Sequence, residues 1–195
     1  MPSQLSFLIS ALLAATLSLS EGKSIANSLE SGATSGDELQ ATNSNPVVDL
    51  AGLLQADVDK LQQEFLAQFS EIENGVNYDI ASPINSTADG CFKANFNKFR
   101  CLKRIYTGLH QYEEQMLYVK KEFQSHLVDG VIYRTRNLQK TVRDMQQKHK
   151  SSDTVPEHVL PTGSPWVKKT VVNAILRSYN QFLIHAHRAL RYMSK

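Results

Sequence analysis

Residues 91–123 read CFKANFNKFRCLKRIYTGLHQYEEQMLYVKKEF. From Leu102 onward the apolar residues Ile105, Leu109, Tyr112, Met116, Val119 and Phe123 follow at alternating steps of three and four. That spacing keeps one face of a 3.6-residue helix apolar, and no two-residue alternation competes with it. The stretch therefore predicts one long amphipathic helix. Cys91 and Cys101 stand directly ahead of it, ten positions apart, and the chain has no other cysteine. A cytosolic metal or redox site would more often show Cys-x-x-Cys spacing or added His and Cys partners. The pair points instead to an oxidising compartment and one local disulfide, with two reactive thiols as the alternative. A bridge would close a small loop leading into the helix, worth roughly 3 kcal/mol by loop entropy.

The amino terminus supports the same compartment. Leu5, Phe7, Leu8, Ile9, Leu12, Leu13, Leu17 and Leu19 make an uncharged apolar run, followed by the small residues Ser18, Ser20 and Gly22. This predicts a signal peptide over residues 1–22, too short for a good membrane span. Residues 23–45, rich in Ser, Asn, Gly, Thr and Ala, predict a disordered arm. One folded domain over 46–195 remains, long enough for a real core. Asn85-Ser86-Thr87 is a glycosylation sequon, which suits export and a surface loop.

Three further stripes match the first. Val47, Leu50, Leu54, Val58, Leu61, Phe65, Phe69 and Ile72 predict a first helix, with Pro46 at its start and Gly75 just past its end. Leu127, Val131, Leu138, Val142 and Met145 predict a weaker third helix, interrupted early by Gly130. A fourth runs from Pro165 to Met193 with Ser164 as N-cap, burying Val172, Ile175, Tyr179, Phe182, Ala186, Leu190 and Met193. The fold class is all-α. The first helix is roughly 39 Å long at 1.5 Å per residue, and returning along it takes at least ~12 extended residues. The gaps before the second and fourth helices are long enough for that, whereas the second and third are separated by only a few residues. Long, short, long permits an up-up-down-down four-helix bundle with two crossover loops.

No nucleotide loop, Gly-x-Ser-x-Gly, His-Glu-x-x-His or inward Glu-x-x-His pair occurs. His185 and His187 are about 200° apart on a helix and cannot share one metal ion. The expectation is a non-enzyme with no cofactor and no metal. The net charge of +2 hides a division, formally −10 over residues 21–90 and +12 over 91–195. Nucleic-acid binding by the second half is one reading, and acidic and basic helices packed side by side is the other. Export favours the second, so neither a nucleic-acid partner nor stable membrane insertion is expected.

Some faces could bind protein. Taking Arg177 as origin at about 100° per residue, Ile184 falls at about −20°, Arg188 at about 20° and Arg191 at about −40°. The core residues Tyr179, Phe182 and Ala186 lie on the opposite side. Three arginines and one isoleucine thus share an outward face, either simply solvated or an interface, where Arg is favoured. The up-up-down-down order brings Phe92 and Phe96 to the bundle end where Arg188 and Arg191 lie. Those rings either cover the core or meet a partner. Trp166 is a core plug or an anchor, and Tyr133 and Arg136 project away from the core stripe of the third helix.

The run Cys91-x9-Cys101-x6-Gly108-Leu109-x2-Tyr112 resembles the signature of the interleukin-6, granulocyte colony-stimulating factor and myelomonocytic growth factor family. Met116 stands where the family pattern has Leu. Cys91-Phe92 with Phe96-Asn97, and the terminus Ile175-Leu176-Arg177-Ser178-Tyr179 through Arg188-Ala189-Leu190-Arg191-Tyr192-Met193, look like its interleukin-6 branch. The second, upstream cysteine pair usual in mammalian members of that branch is absent, marking a divergent member. The resemblance implies a secreted long-chain helical cytokine that acts by binding alone. It implies that Phe92, Phe96, Arg177, Ile184, Arg188 and Arg191 meet a specific α-receptor of the interleukin-6 receptor type. Trp166, with Tyr133 and Arg136, would recruit a shared signalling chain of the glycoprotein-130 type. The readings kept beside it are a granulocyte colony-stimulating-factor-type cytokine and a secreted amphipathic-helix lipid binder.

Overall fold

In the computed structural model the described residues are 45–72, 78, 80–84, 87–146, 160–161 and 163–195. The expected leader, the expected arm apart from Asn45, Gly75 and Asn85 lie outside them. Four helices carry the fold: α1 (Pro46–Gln68), α2 (Lys98–Glu122), α3 (Leu127–Met145) and α4 (Pro165–Met193). No strand occurs among the described residues.

Each helix starts on a side-chain cap where its sequence provides one. The Asn45 side chain accepts from the Val47 N–H at 3.1 Å, the Asn97 side chain from the Arg100 N–H at 2.9 Å, and Ser164 from the Val167 N–H at 3.4 Å. Such caps satisfy N–H groups that the helix itself leaves unpaired. The whole predicted stripe of α2 is buried. In α1 the buried positions are Val47, Ala51, Leu54, Val58, Leu61 and Phe65, so Ala51 takes the place expected of Leu50, which is half-buried at the edge. The first helix also ends sooner than its pattern predicts. Phe69 leaves helical geometry (φ −131°, ψ 57°), and a 3₁₀ turn, Ser70–Ile72, buries Ile72. Its ring lies 5.0 Å from Phe65 and 6.1 Å from Phe123, so tertiary packing ends the helix. Nor does Gly130 interrupt α3. The cost of glycine in a helix, about 1 kcal/mol, is offset by burial of Val128, Val131 and Ile132 around it.

Side-chain contacts fix the directions. The Asn45 amide donates to Ser194 Oγ at 2.9 Å, joining the start of α1 to the end of α4. Ser125, just before α3, donates to Glu64 near the end of α1 at 3.0 Å. Phe69 meets Phe123, bringing the ends of α1 and α2 together, and Lys168 pairs with Glu122 at 3.1 Å, joining the start of α4 to the end of α2. Helices α1 and α2 therefore run parallel, and α3 and α4 run against them. Each of the first pair packs on both of the second. This is the up-up-down-down bundle with two long crossovers.

The centre is aromatic and partly polar. Tyr112 stacks on Tyr179 with ring centroids 4.4 Å apart, and Phe182 lies 5.1 Å from Tyr112. Phe182 sits directly on the backbone of α2, where a Cβ at Gly108 would come within 2.4 Å of its ring. Both phenols are satisfied. Ser178 Oγ donates to the Ile80 carbonyl at 3.0 Å, so its 2.7 Å bond with Tyr112 has the phenol as donor. Thr135 likewise donates to the Val131 carbonyl and accepts from Tyr179. Burial pushes the Tyr112 phenol up to about 12 and that of Tyr179 well above its ordinary range, which keeps both donating. The Ser178–Ile80 bond also ties the first crossover to the core.

Candidate functional site

The segment leading into α2 is short, irregular and pinned at several points. Two 3₁₀ turns, Thr87–Asp89 and Lys93–Asn95, flank Gly90, whose φ of 72° suits glycine. The Asn97 N–H donates to the Gly90 carbonyl at 2.8 Å. Asp89 is buried and pairs with Arg104 Nε at 3.2 Å, while Arg100 Nη1 donates to the Ala88 carbonyl at 3.2 Å. Cys91 and Cys101 are joined by a disulfide, with Cα atoms 4.7 Å apart. The reactive-thiol alternative is thereby removed. Loop and helix start form one braced unit.

This unit holds two rings against the end of α4. Phe92 meets the His185 ring edge-on at 5.5 Å, and Phe96 meets Tyr192 at 4.7 Å. Both phenylalanines are half-buried, so they cover the helix and still face solvent. A cleft of about 240 Å³ opens between loop and helix, lined by Cys91, Phe92, Lys93, His185, Arg188 and Tyr192. Partial burial, and then the Arg188 charge, lower the pKa of His185 below 6.5. The cleft is thus cationic at its rim and aromatic at its floor. That combination suits a protein partner carrying carboxylates beside apolar side chains.

The predicted residues divide at this point. Phe92 and Arg188 share the cleft, Phe96 lies beside it, and Arg191 is exposed on the adjoining turn without lining it. Arg177 lies three helical turns before Arg188, roughly 16 Å along the axis. Ile184 is half-buried, not the solvent-exposed residue that its helical phase suggested. His185, Tyr192 and Lys93 were missed, because a helical wheel drawn against the core does not show what a loop will cover. Histidine at 185 faces Phe92, whereas His187 lies over Gly52 of α1, so the two imidazoles point to different neighbours.

Trp166 lies at the other end of the bundle and is 44% exposed. It is no core plug: Phe65, Phe69 and Phe123 close that end, with Lys169 Nζ 4.0 Å above the Phe69 ring. Tyr133 is 66% exposed on α3. Arg136 is exposed but paired with Glu113 of α2 at 2.6 Å, so it braces α3 against α2. On the other side Arg134 pairs with Asp57 of α1. Leu53 is 59% exposed on the α3-facing side of α1, an apolar residue off the core stripe that sequence reading passed over.

The Interleukin-6/G-CSF/MGF family model matches residues 23–193. The chain belongs to that family. It is similar to interleukin-6 of Sus scrofa, at 29% identity over 83% of this chain and 82% of that one. It is similar to interleukin-6 of Oncorhynchus mykiss at 31% identity, covering 94% and 93%, and to that of Gallus gallus at 26%, covering 75% and 66%. Members of the Interleukin-6/G-CSF/MGF family are cytokines and not enzymes, and the chain is a cytokine on that ground. Among the described residues no helix is long and apolar enough to cross a membrane.

Proposed function

We propose that this cytokine is exported after loss of residues 1–22, carries 23–45 as an arm, and signals by joining receptor chains through the bundle of 46–195. One observation carries the receptor reading: two half-exposed phenylalanines, Phe92 and Phe96, are braced by a disulfide beside Arg188 in a member of this family. Buried aromatic anchors flanked by arginine are what binding hot spots are made of. The specific α-receptor takes this end, with Arg191 and the turn toward Ile184 and Arg177 at its margin. Trp166, an exposed tryptophan at the far end, recruits the shared signalling chain of the glycoprotein-130 type. Tyr133, exposed on α3, and Leu53, exposed on α1, extend that second contact, and Arg136 supports it from its ion pair. Asn85 carries a glycan.

The test is binding of the immobilised chain to the two receptor ectodomains, separately and together. R188E/R191E should weaken α-receptor binding by about 30-fold or more, the effect of losing a hot spot of ~2 kcal/mol, with helix content unchanged. Wild-type affinity in that variant removes the assignment. Trp166→Ala should leave the α-receptor complex intact and lose the ternary one. The lipid-binder reading has no comparable support, since the four apolar stripes face one another in a single core.

A further inference from the structure

The chain's one cross-link opens onto the cleft. Cys91 is half-buried and lines the cleft beside Lys93 and Arg188, whereas Cys101 is fully covered in the core. A nucleophile arriving through the cleft therefore reaches one sulfur of the bridge and not the other. Disulfides are cleaved by thiolates, which are anions. The residues lining the cleft include two cations and no carboxylate, so the approach attracts a thiolate. The leaving side is suited as well. Cys101 stands in the first turn of α2 with Lys98 and Arg100 and no acidic residue. The N–H groups of that turn favour negative charge, and a thiol placed there ionises more readily and leaves faster. Burial of Cys101 opposes its ionisation while the loop is closed, and that cost falls away as the loop lifts.

What the bridge holds is the short loop that carries Phe92 and Phe96. The bond from the Asn97 N–H to the Gly90 carbonyl closes the base of residues 91–96. The contacts of Arg104 with Asp89 and of Arg100 with Ala88 fasten what precedes that base. The disulfide is the covalent tie that draws residues 91–96 themselves onto α2, and the chain has no second bridge to replace it. The four helices pack through their apolar stripes, so opening the bridge frees the loop and leaves the bundle folded.

We propose that the Cys91–Cys101 bridge is a reductive off-switch, opened by a secreted or cell-surface protein dithiol of the thioredoxin class that attacks Cys91 through the cleft. The attacking thiolate bonds to the Cys91 sulfur, and Cys101 leaves as a thiolate and takes up a proton. The reductant's second thiolate then attacks its own sulfur in the mixed disulfide and releases Cys91, which is protonated in turn. The bridge gains two electrons and two protons, and the dithiol that supplies them becomes a disulfide. Receptor binding is lost because Phe92 and Phe96 are no longer held beside Arg188. That consequence rests on the α-receptor reading above, whereas the direction of attack does not. Since the α-receptor occupies the same cleft, bound cytokine is protected from reduction and free cytokine is not.

The experiment uses the full oxidised chain as secreted by expressing cells. Thioredoxin whose resolving cysteine is replaced by serine is expected to form a mixed disulfide at Cys91, leaving Cys101 to be alkylated, as read by peptide mass spectrometry. An adduct on Cys101, or no adduct unless the chain is first unfolded in urea, overturns the proposal. Intact thioredoxin with its reductase and NADPH should open the bridge with helix content unchanged and weaken α-receptor binding about tenfold or more. Reoxidation should restore that binding. With the α-receptor ectodomain at about ten times its Kd, opening should slow about tenfold. Equal rates in bound and free protein, or unchanged affinity after opening, overturn the switch. Trapping reads the bridge alone and R188E/R191E reads the receptor site alone, so failure of one is told apart from failure of the other.

Discussion

Where α1 and α2 finish, Phe65, Phe69 and Phe123 meet ring to ring at 5.0–6.1 Å; where they begin, a disulfide and the pairing of buried Asp89 with Arg104 hold a loop in place. The first end is sealed by burying apolar surface, with its charges matched across helices. The second is braced covalently, which leaves Phe92 and Phe96 half in solvent and the cations beside them without equal numbers of acids. A seal made of rings consumes the rings that make it. A staple does not, so the stapled end keeps its aromatic and cationic side chains available for partners.

Breaking the sealed end should cost most. Phe65→Ala removes the ring that touches both of the others, and is expected to lose about 3–5 kcal/mol of unfolding free energy in urea, in line with large-to-small core changes. A loss below ~1 kcal/mol would show that the end is not a true core. Cys91→Ser with Cys101→Ser comes next, at roughly 3 kcal/mol from the released loop. Its sharper consequence is at the surface: α-receptor affinity should fall in this variant while a Phe65→Ala protein, under conditions where it is folded, binds normally. Equal effects of the two changes on binding would erase the distinction between the ends.

The smallest effect is a pH dependence confined to the stapled end. Partial burial and Arg188 depress the folded-state pKa of His185, so the unfolded chain takes up the proton first as pH falls. Stability is therefore unaffected by this group above about 6.5, and declines as pH drops from there toward the folded value. Lys93 and Arg188, which line the same cleft, offer the imidazolium no compensating carboxylate. Comparing melting of the wild type and His185→Gln between pH 7.5 and 5 checks this: the wild type should lose more. A parallel decline in both proteins would assign the effect elsewhere.

How far these features can be read from sequence depends on what sets them. Helix α4 was legible to its ends because local chemistry sets them: a serine cap, a first-turn proline and an apolar stripe ending at Met193. Helix α1 overran its true end because the apolar pattern continues through Phe69 and Ile72, while a ring on another helix decides where the backbone turns. Ala51 was passed over for Leu50, since a small residue carries little weight in a pattern although it is fully covered in the core. The meeting of Phe92 with Arg188 was within reach, because loop lengths and the motif fixed which helix ends coincide. Contact of Phe92 with His185, the pairing of Arg136 with Glu113, and the exposure of Trp166 were not, because each depends on which neighbour fills the adjoining space.

The bond between Asn45 and Ser194 has a consequence for rearranging the molecule. It sets the first residue before α1 beside the first residue after α4, so a linker of a few residues could join them. Opened between α3 and α4, such a permuted chain would keep every helix neighbour it has now, including the disulfide and the cleft. Its new amino end, placed just before α4, would stand at the Trp166 end of the bundle instead of beside Phe96 and Arg191. A fusion partner attached at that end would hang clear of the Phe92 cleft.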